Sequence, residues 1–237
     1  MFSKSAQYYD DIYGAADKGY LEEAVKIHTF IQKYKRTKGN MLLDVACGTG
    51  IHASALSKYY KVEGLDLDVN MLKVAKKKLP KIRFRQGDMI NFDLKRQFDI
   101  VICLFSSIGY VKTKSNLRKA VKNMNKHLLL GGVLIVEPWF TPEQWHTGRV
   151  FTLQVEKPDR KIIRMSHSGQ KGKVSVLEFQ YLIGTSKGIE HQTEIHTLGL
   201  FTHEDYLDAF QSVGLKVVYN KKGVDGRGLY IGKKAIK

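Results

Sequence analysis

Between residues 41 and 137, short apolar stretches alternate with stretches of helical periodicity, which leaves few ways for the chain to fold. Residues 41–46 read as a first strand, followed by a glycine turn and a helix at 51–59. Residues 61–67 read as a second strand, 69–78 as a helix and 82–86 as a third strand. Residues 98–105 are almost all apolar, as a strand buried on both faces should be. A helix at 114–127 then runs to Gly131-Gly132, and 133–137 forms a fifth strand. Strand–helix–strand units of this length demand a parallel sheet with right-handed crossovers.

The rhythm changes after Pro138. Four β-rich runs at 150–155, 161–168, 174–183 and 190–200 are separated by turn signals at 157–159, 169–172 and 186–188, which predicts an antiparallel meander. A helix at 202–213 opens on a capping-box-like Thr202-His203-Glu204-Asp205 and stops at Gly214. Residues 215–220 and 228–233 are expected to close the chain as an antiparallel edge pair. Upstream, residues 6–35 carry helical spacing behind an aromatic cluster of Tyr8, Tyr9, Tyr13 and Tyr20. The expected organisation is an N-terminal helical lid at 1–40, an α/β core at 41–140 and 200–237, and an antiparallel β insert at 141–199 after strand five. The core would be a mostly parallel, seven-stranded, Rossmann-like sheet.

Composition narrows the function classes. No run approaches the ~18 apolar residues of a membrane span, and the N-terminus lacks an apolar block of signal-peptide length, so a cytoplasmic protein is expected. Cys47 and Cys103 have no cysteine partner at metal-ligand spacing and no motif that supplies an activating base, so neither a metal site nor a cysteine nucleophile is expected. The net charge of +16 suits an anionic partner. Many of its lysines, however, fall in series such as Lys73, Lys76, Lys77, Lys78, Lys81 and Lys112, Lys114, Lys119, Lys122, Lys126, which read as solvated helix faces. No aromatic interleaving marks a base-stacking platform, so nucleic acid is a weak expectation and a phosphorylated small molecule a better one.

The glycine turn Asp44-Val45-Ala46-Cys47-Gly48-Thr49-Gly50 permits a sharp reversal and close approach of a ligand. Alone it fits a nicotinamide enzyme as well. The discriminating feature is the number of acids around it. Asp44 lies in strand one, Asp66 and Asp68 end strand two, and Asp88 ends strand three, all at the carboxyl edge where α/β sheets bind ligands. That rim would repel a pyrophosphate. It suits a ligand bearing a sulfonium, an ammonium, ribose hydroxyls and an adenine amine. The plainer reading is that these aspartates cap helices and turns.

Leu-Leu-Asp-Val-Ala-Cys-Gly-Thr-Gly (42–50), Gly-Leu-Asp-Leu (64–67), Met-Leu-x-x-Ala (71–75) and Gly-Asp-Met (87–89) resemble the motif series of class I S-adenosylmethionine-dependent methyltransferases. Phe105-Ser106-Ser107-Ile108-Gly109-Tyr110, Val136-Glu137-Pro138-Trp139, Arg164-Met165-Ser166-His167-Ser168 and Gly226-Arg227-Gly228-Leu229 resemble the TDP-3-amino-deoxyhexose N,N-dimethyltransferases of the desosamine and mycaminose type, over nearly the whole chain. The resemblance implies S-adenosylmethionine as cofactor and a nucleotide-linked amino sugar as acceptor. It places Tyr13, Tyr20, Ala46, Gly48, Asp66, Met71, Asp88, Met89 and Leu104 at the cofactor, and Tyr13 and Tyr110 at the reaction centre. Trp139, Arg164, His167 and Arg227 fall at positions expected near the nucleotide sugar, where forked arginine donors suit a diphosphate. A homodimer is a further implication.

Methyl transfer from a sulfonium is a direct displacement, so alignment and desolvation supply much of the rate. An amine acceptor must first lose a proton, which Tyr110 or Tyr13 could relay, with bulk water as the final receiver. Three rivals remain open on sequence: a methyltransferase for RNA, protein or another small molecule, a non-catalytic cofactor-binding protein, and a nicotinamide dehydrogenase. The first lacks the Asp/Asn-Pro-Pro-aromatic motif of adenine N-methylation after strand four, where Leu104-Phe105-Ser106-Ser107 stands.

Overall fold

The computed structural model describes residues 5–15 and 19–236. A 3-10 turn at Ala6–Tyr8 leads into α1 (Tyr9–Ala15) and α2 (Tyr20–Tyr34). The core follows as β1 (Met41–Val45), α3 (Ile51–Leu56), β2 (Lys61–Asp66), α4 (Val69–Lys78), β3 (Arg83–Gln86), β4 (Phe98–Cys103), α5 (Lys114–Lys126) and β5 (Leu128–Val136). Then come β6 (Val150–Lys157), β7 (Arg160–Lys171), β8 (Val174–Thr185), β9 (Gly188–Gly199), α6 (His203–Gln211), β10 (Leu215–Asn220) and β11 (Leu229–Lys234).

Seven strands form one sheet in the order β3-β2-β1-β4-β5-β11-β10. The first five pair in parallel, and β11 runs antiparallel to β5 and β10. Fold class and mixed sheet are thus as the alternation required. The closing pair is not wholly an edge, because β11 lies between β5 and β10 and leaves only β10 at the rim. Strand β4 feeds both layers. Ile100 and Ile102 pack towards α2, α3 and α4 with Ile27, Ile31, Leu56 and Leu72, while Phe98, Val101 and Cys103 pack towards α5 and α6 with Leu117, Val121, Met124, Tyr206 and Phe210.

Two local readings need correction. Strand β5 starts at Leu128, directly after α5, rather than beyond the glycines. The β4–β5 register jumps from Phe98↔Leu128 to Ile100↔Val133, and Gly131 (φ 78°) absorbs the bulge. A Cβ at Gly132 would lie 2.8 Å from the Asp99 carbonyl oxygen. Nor is the N-terminal region one helix: Gly19 stands immediately before α2 as its N-cap, and residues 16–18 fall outside the described residues.

The other four strands form an antiparallel sheet in the order β6-β7-β8-β9. Its inner face, with Val155, Ile162, Phe179, Tyr181 and Ile183, packs on Ile12 of α1. Burying that one isoleucine contributes roughly 2 kcal/mol. Polar ties fix α1 on both flanks. Asp10 accepts from Thr49 Oγ1 (2.5 Å) and Lys78 Nζ, and Asp11 accepts from Arg160 Nε (3.0 Å). The lysine series named above lies exposed on the outer faces of α4, α5 and the adjoining turns. Among the described residues no helix is long and apolar enough to cross a membrane.

Candidate active site

The carboxyl ends of β1–β4 open into a cavity of about 460 Å³. Helix α1 closes one side with Tyr9 and Tyr13, and the insert roofs it with Leu177, Phe179, His196 and Leu198. Ala46, Gly48, Asp66, Met71, Asp88 and Met89 line one half, and Tyr13, Tyr110, Trp139 and Arg227 line the other. Tyr20 and Leu104 border a small adjoining recess with Asp44, Gly48 and His52.

Backbone geometry concentrates here. Ala46 (φ 60°), Phe105 (φ 53°) and Ser106 (φ 58°) are non-glycine residues in left-handed conformation at the ends of β1 and β4, and Gly48 (φ 56°) joins them. Such conformations cost of order 1 kcal/mol or more each and cluster where a site must be shaped. Asp66 holds the loop in place: Oδ2 accepts from Gly48 N (2.7 Å) and Oδ1 from Asp68 N (2.8 Å). Asp68 is the N-cap of α4, accepting from the backbone of Asn70 and Met71, and Asp88 accepts from Ile90 N (3.1 Å). The capping reading is therefore correct for Asp68, while Asp88 braces a turn and also faces the cavity.

Two observations test whether these residues fit S-adenosylmethionine. A Cβ at Gly48 would meet nothing within 4 Å, so the loop presents open space to a ligand. Asp44 is 2% exposed, and its Oδ2 is buried without a hydrogen-bond partner. Burial, and secondarily the nearby Asp66, push the Asp44 carboxyl up to about 8. An adjacent cation would relieve that penalty, and an ammonium group is the natural one. The donor set fits.

Two expected results follow. Gly48→Ala should keep the fold at a cost of about 1 kcal/mol for the left-handed alanine, yet weaken cofactor binding, because the methyl occupies the ligand's space. Calorimetric titration with S-adenosylhomocysteine reads this; unchanged affinity would refute it. For Asp44, the unfolded carboxyl titrates near 4 and the folded one near 8. Between those values the folded state binds the extra proton, so this group's contribution to stability falls as pH rises. Asp44→Asn should therefore raise the melting temperature of the ligand-free protein by an amount that grows from pH 5 to pH 8. A pH-independent difference would count against the buried carboxyl.

The acceptor half is aromatic and polar. The rings of Tyr13 and Phe105 meet edge to face at 5.0 Å. Two guanidiniums flank that pair: Arg164 lies over Tyr13 (5.5 Å) and Phe179 (4.9 Å), and Arg227 lies over Phe105 (5.5 Å). Arg227 is also bound to Ser106 Oγ (2.9 Å), Glu137 (3.2 Å) and Asp225. Arg164 stands behind the wall, with Nε and Nη1 buried and lacking hydrogen-bond partners. His167 lies on the opposite face of β7 and is exposed, because an odd separation along a strand reverses the direction of the side chain. It is not brought to the cavity. Trp139 donates from Nε1 to Ser175 Oγ (2.9 Å), and Trp145 donates to the Gly169 carbonyl (3.0 Å), so both are anchored.

Burial raises both phenols well away from neutrality, at Tyr13 against the opposing pull of Arg164. Both hydroxyls therefore stay protonated near pH 7. The sequence reading missed Tyr9, Phe105, Phe179 and His196 as lining residues. For His196 a signal existed: Glu194 and His196 share one strand face at i and i+2, in a segment where the inward face should be apolar.

Comparison with known proteins identifies the family of the chain. A methyltransferase domain family matches residues 42–132. A dTDP-3-amino-3,6-dideoxy-α-D-glucopyranose N,N-dimethyltransferase of Streptomyces fradiae is 38% identical over 229 residues, which is 96% of this chain and 89% of that one. The crystal structure of DesVI from Streptomyces venezuelae superimposes with a TM-score of 0.92 at 38% identity, covering 98% of each chain. CalS10, a SAM-bound amino pentose methyltransferase from Micromonospora echinaspora, gives 0.86 at 36% identity over 96% of each chain.

Proposed function

The chain belongs to the S-adenosylmethionine-dependent methyltransferase family that includes these sugar N,N-dimethyltransferases, and from that premise we propose that it methylates the amine of a nucleotide-linked amino sugar. The observation that carries the acceptor class is the aromatic chamber of Tyr13, Tyr110, Trp139 and Phe179, which opens off the acidic half with Arg227 in its wall. A deoxysugar offers apolar faces to such rings, and a guanidinium answers the diphosphate.

When bound, S-adenosylmethionine supplies an activated methyl on sulfur. Asp66, Asp88 and Met89 would hold its adenosine half, Met71 and the Gly48 loop would shape the pocket, and Asp44 would face its ammonium. Tyr20 and Leu104 would border the same end. Tyr13 and Tyr110 hold the amine in line through protonated hydroxyls, and the rings around them exclude water. Arg227 receives the diphosphate, with Arg164 supporting Tyr13 from behind. His167 takes no part, because β7 turns it outward.

Incubation with S-adenosylmethionine and TDP-3-amino-deoxyhexoses should yield products heavier by one or two methyl groups. Absence of any methylated product, together with absence of calorimetric binding, would overturn the acceptor assignment.

A further inference from the structure

We infer that His196 and Glu194, acting through Tyr110, form a buried path that removes the proton from the acceptor amine. The inference rests on the amine-acceptor reading above. The Tyr110 hydroxyl lies 2.6 Å from His196 Nδ1, and His196 Nε2 lies 3.5 Å from Glu194 Oε2. His196 is 1% exposed and Glu194 5%. Both project from β9 into the interior, where an ionisable pair costs free energy that apolar side chains would not. His196 packs there against the ring of Phe179.

The pair rests with a single charge, on Glu194. Glu194 accepts from Ser5 N (3.0 Å), Ser5 Oγ (2.8 Å) and Tyr181 Oη (3.4 Å). Burial works against its ionised form, yet His196 and the Ser5 donors outweigh it and leave the carboxyl below its usual range. Burial depresses the imidazole, against the upward pull of Glu194. The resting state is a neutral histidine beside a carboxylate. A neutral imidazole has one donor and one acceptor nitrogen. The path requires the tautomer in which Nε2, 3.5 Å from Glu194 Oε2, carries the hydrogen and Nδ1 accepts from Tyr110. The remaining lone pair of Tyr110 is thereby free to accept from an amine in the cavity.

The step balances. As the substrate ammonium gives a proton to Tyr110 Oη, the phenolic proton passes to His196 Nδ1. The tyrosine ends neutral, the histidine cationic beside Glu194, and the amine regains its lone pair. That lone pair then forms the N–C bond while the C–S bond breaks and its electrons return to sulfur. When product leaves, the proton returns from His196 Nδ1 through Tyr110 Oη to water that enters the cavity. The ionisable groups facing this path among the described residues include Tyr9 and Tyr13 on α1, Asp66 at the end of β2, Tyr110 after β4, Arg164 on β7, Tyr181 on β8 and Glu194 on β9 itself. Tyr110 touches the substrate; His196 and Glu194 are positioning residues.

Two measurements test the path. The first is the 15N spectrum of the protein with S-adenosylhomocysteine alone, with the His196 signals assigned by their loss in His196→Gln. It should show Nε2 protonated and Nδ1 bare near pH 7, and the Nδ1 signal should move in Tyr110→Phe. A protonated Nδ1 overturns the path, and this readout needs no sugar. The second is turnover of His196→Gln and Glu194→Gln. Both should bind S-adenosylhomocysteine as wild type does, and His196→Gln should lose about a hundredfold in kcat at pH 7. Raising the pH should recover most of that loss, because the amine then arrives already deprotonated. A deficit equal at every pH, or none at all, overturns the path. Should the wild type methylate no amino sugar, the acceptor assignment fails instead, and the tautomer still decides the path.

Discussion

Asp66→Asn is expected to weaken S-adenosylhomocysteine binding by about two orders of magnitude, the largest single effect on the cofactor half. Asp66 uses its two oxygens on two backbone donors, Gly48 N and Asp68 N. An amide can accept at only one of those positions and turns an NH2 against the other N–H. The charge that would meet ribose hydroxyls is lost at the same time. Hydrogen bonds to a charged group are worth about 1.5–3 kcal/mol each, so losing one of them and disturbing the loop amounts to about 3 kcal/mol. Calorimetry with S-adenosylhomocysteine measures it directly. A dissociation constant within about threefold of wild type would show that the loop keeps its shape without this carboxylate.

The second large effect concerns stability. Arg227→Met should lower the melting temperature by roughly 10 °C, because it removes the charge partner of the fully buried Glu137. Breaking a buried ion pair on one side costs about 3–5 kcal/mol, and a chain of this size loses about 2–4 °C per kcal/mol. The double variant Arg227→Met/Glu137→Gln should regain most of the loss, since a glutamine oxygen can still accept from Phe105 N, now at 2.6 Å from the carboxylate. Turnover should not return with stability, because the guanidinium in the chamber wall is still missing. If thermal denaturation shows no recovery in the double variant, Glu137 is not what Arg227 stabilises. If turnover does recover, Arg227 does not serve the acceptor.

The two effects differ in how far they could be read from the residue string. Asp66 and Asp88 were legible because the ends of apolar runs are themselves legible. In a parallel sheet, the residue that closes each run comes to the same edge whatever the details of packing. The insert was legible from its turns, at Lys157-Pro158-Asp159 and Ser186-Lys187-Gly188, which lie within or close beside the observed strand ends. Arg164 and His167 show where that legibility stops. Their odd separation already said that one strand could not aim both inward. Which of the two faces in depended on Ile12 of α1 docking on the Ile162 face of β7, a contact between segments some 150 residues apart.

The meeting of Tyr110 with His196 and Glu194 lies on the tertiary side. Tyr110 follows β4, His196 sits on β9, and their 2.6 Å contact spans 86 residues of chain. No local propensity encodes such a meeting, and the left-handed turn at Phe105 and Ser106 that aims the segment is not a glycine turn that composition would flag. The residue pattern by itself determined the α/β class, the cofactor loop and the acidic rim, because those follow from periodicities of 2 and 3.6 residues and from strand ends. Only the folded chain decided which face of the insert roofs the cavity and which buried groups touch Tyr110, because those depend on the packing of a second sheet against the first.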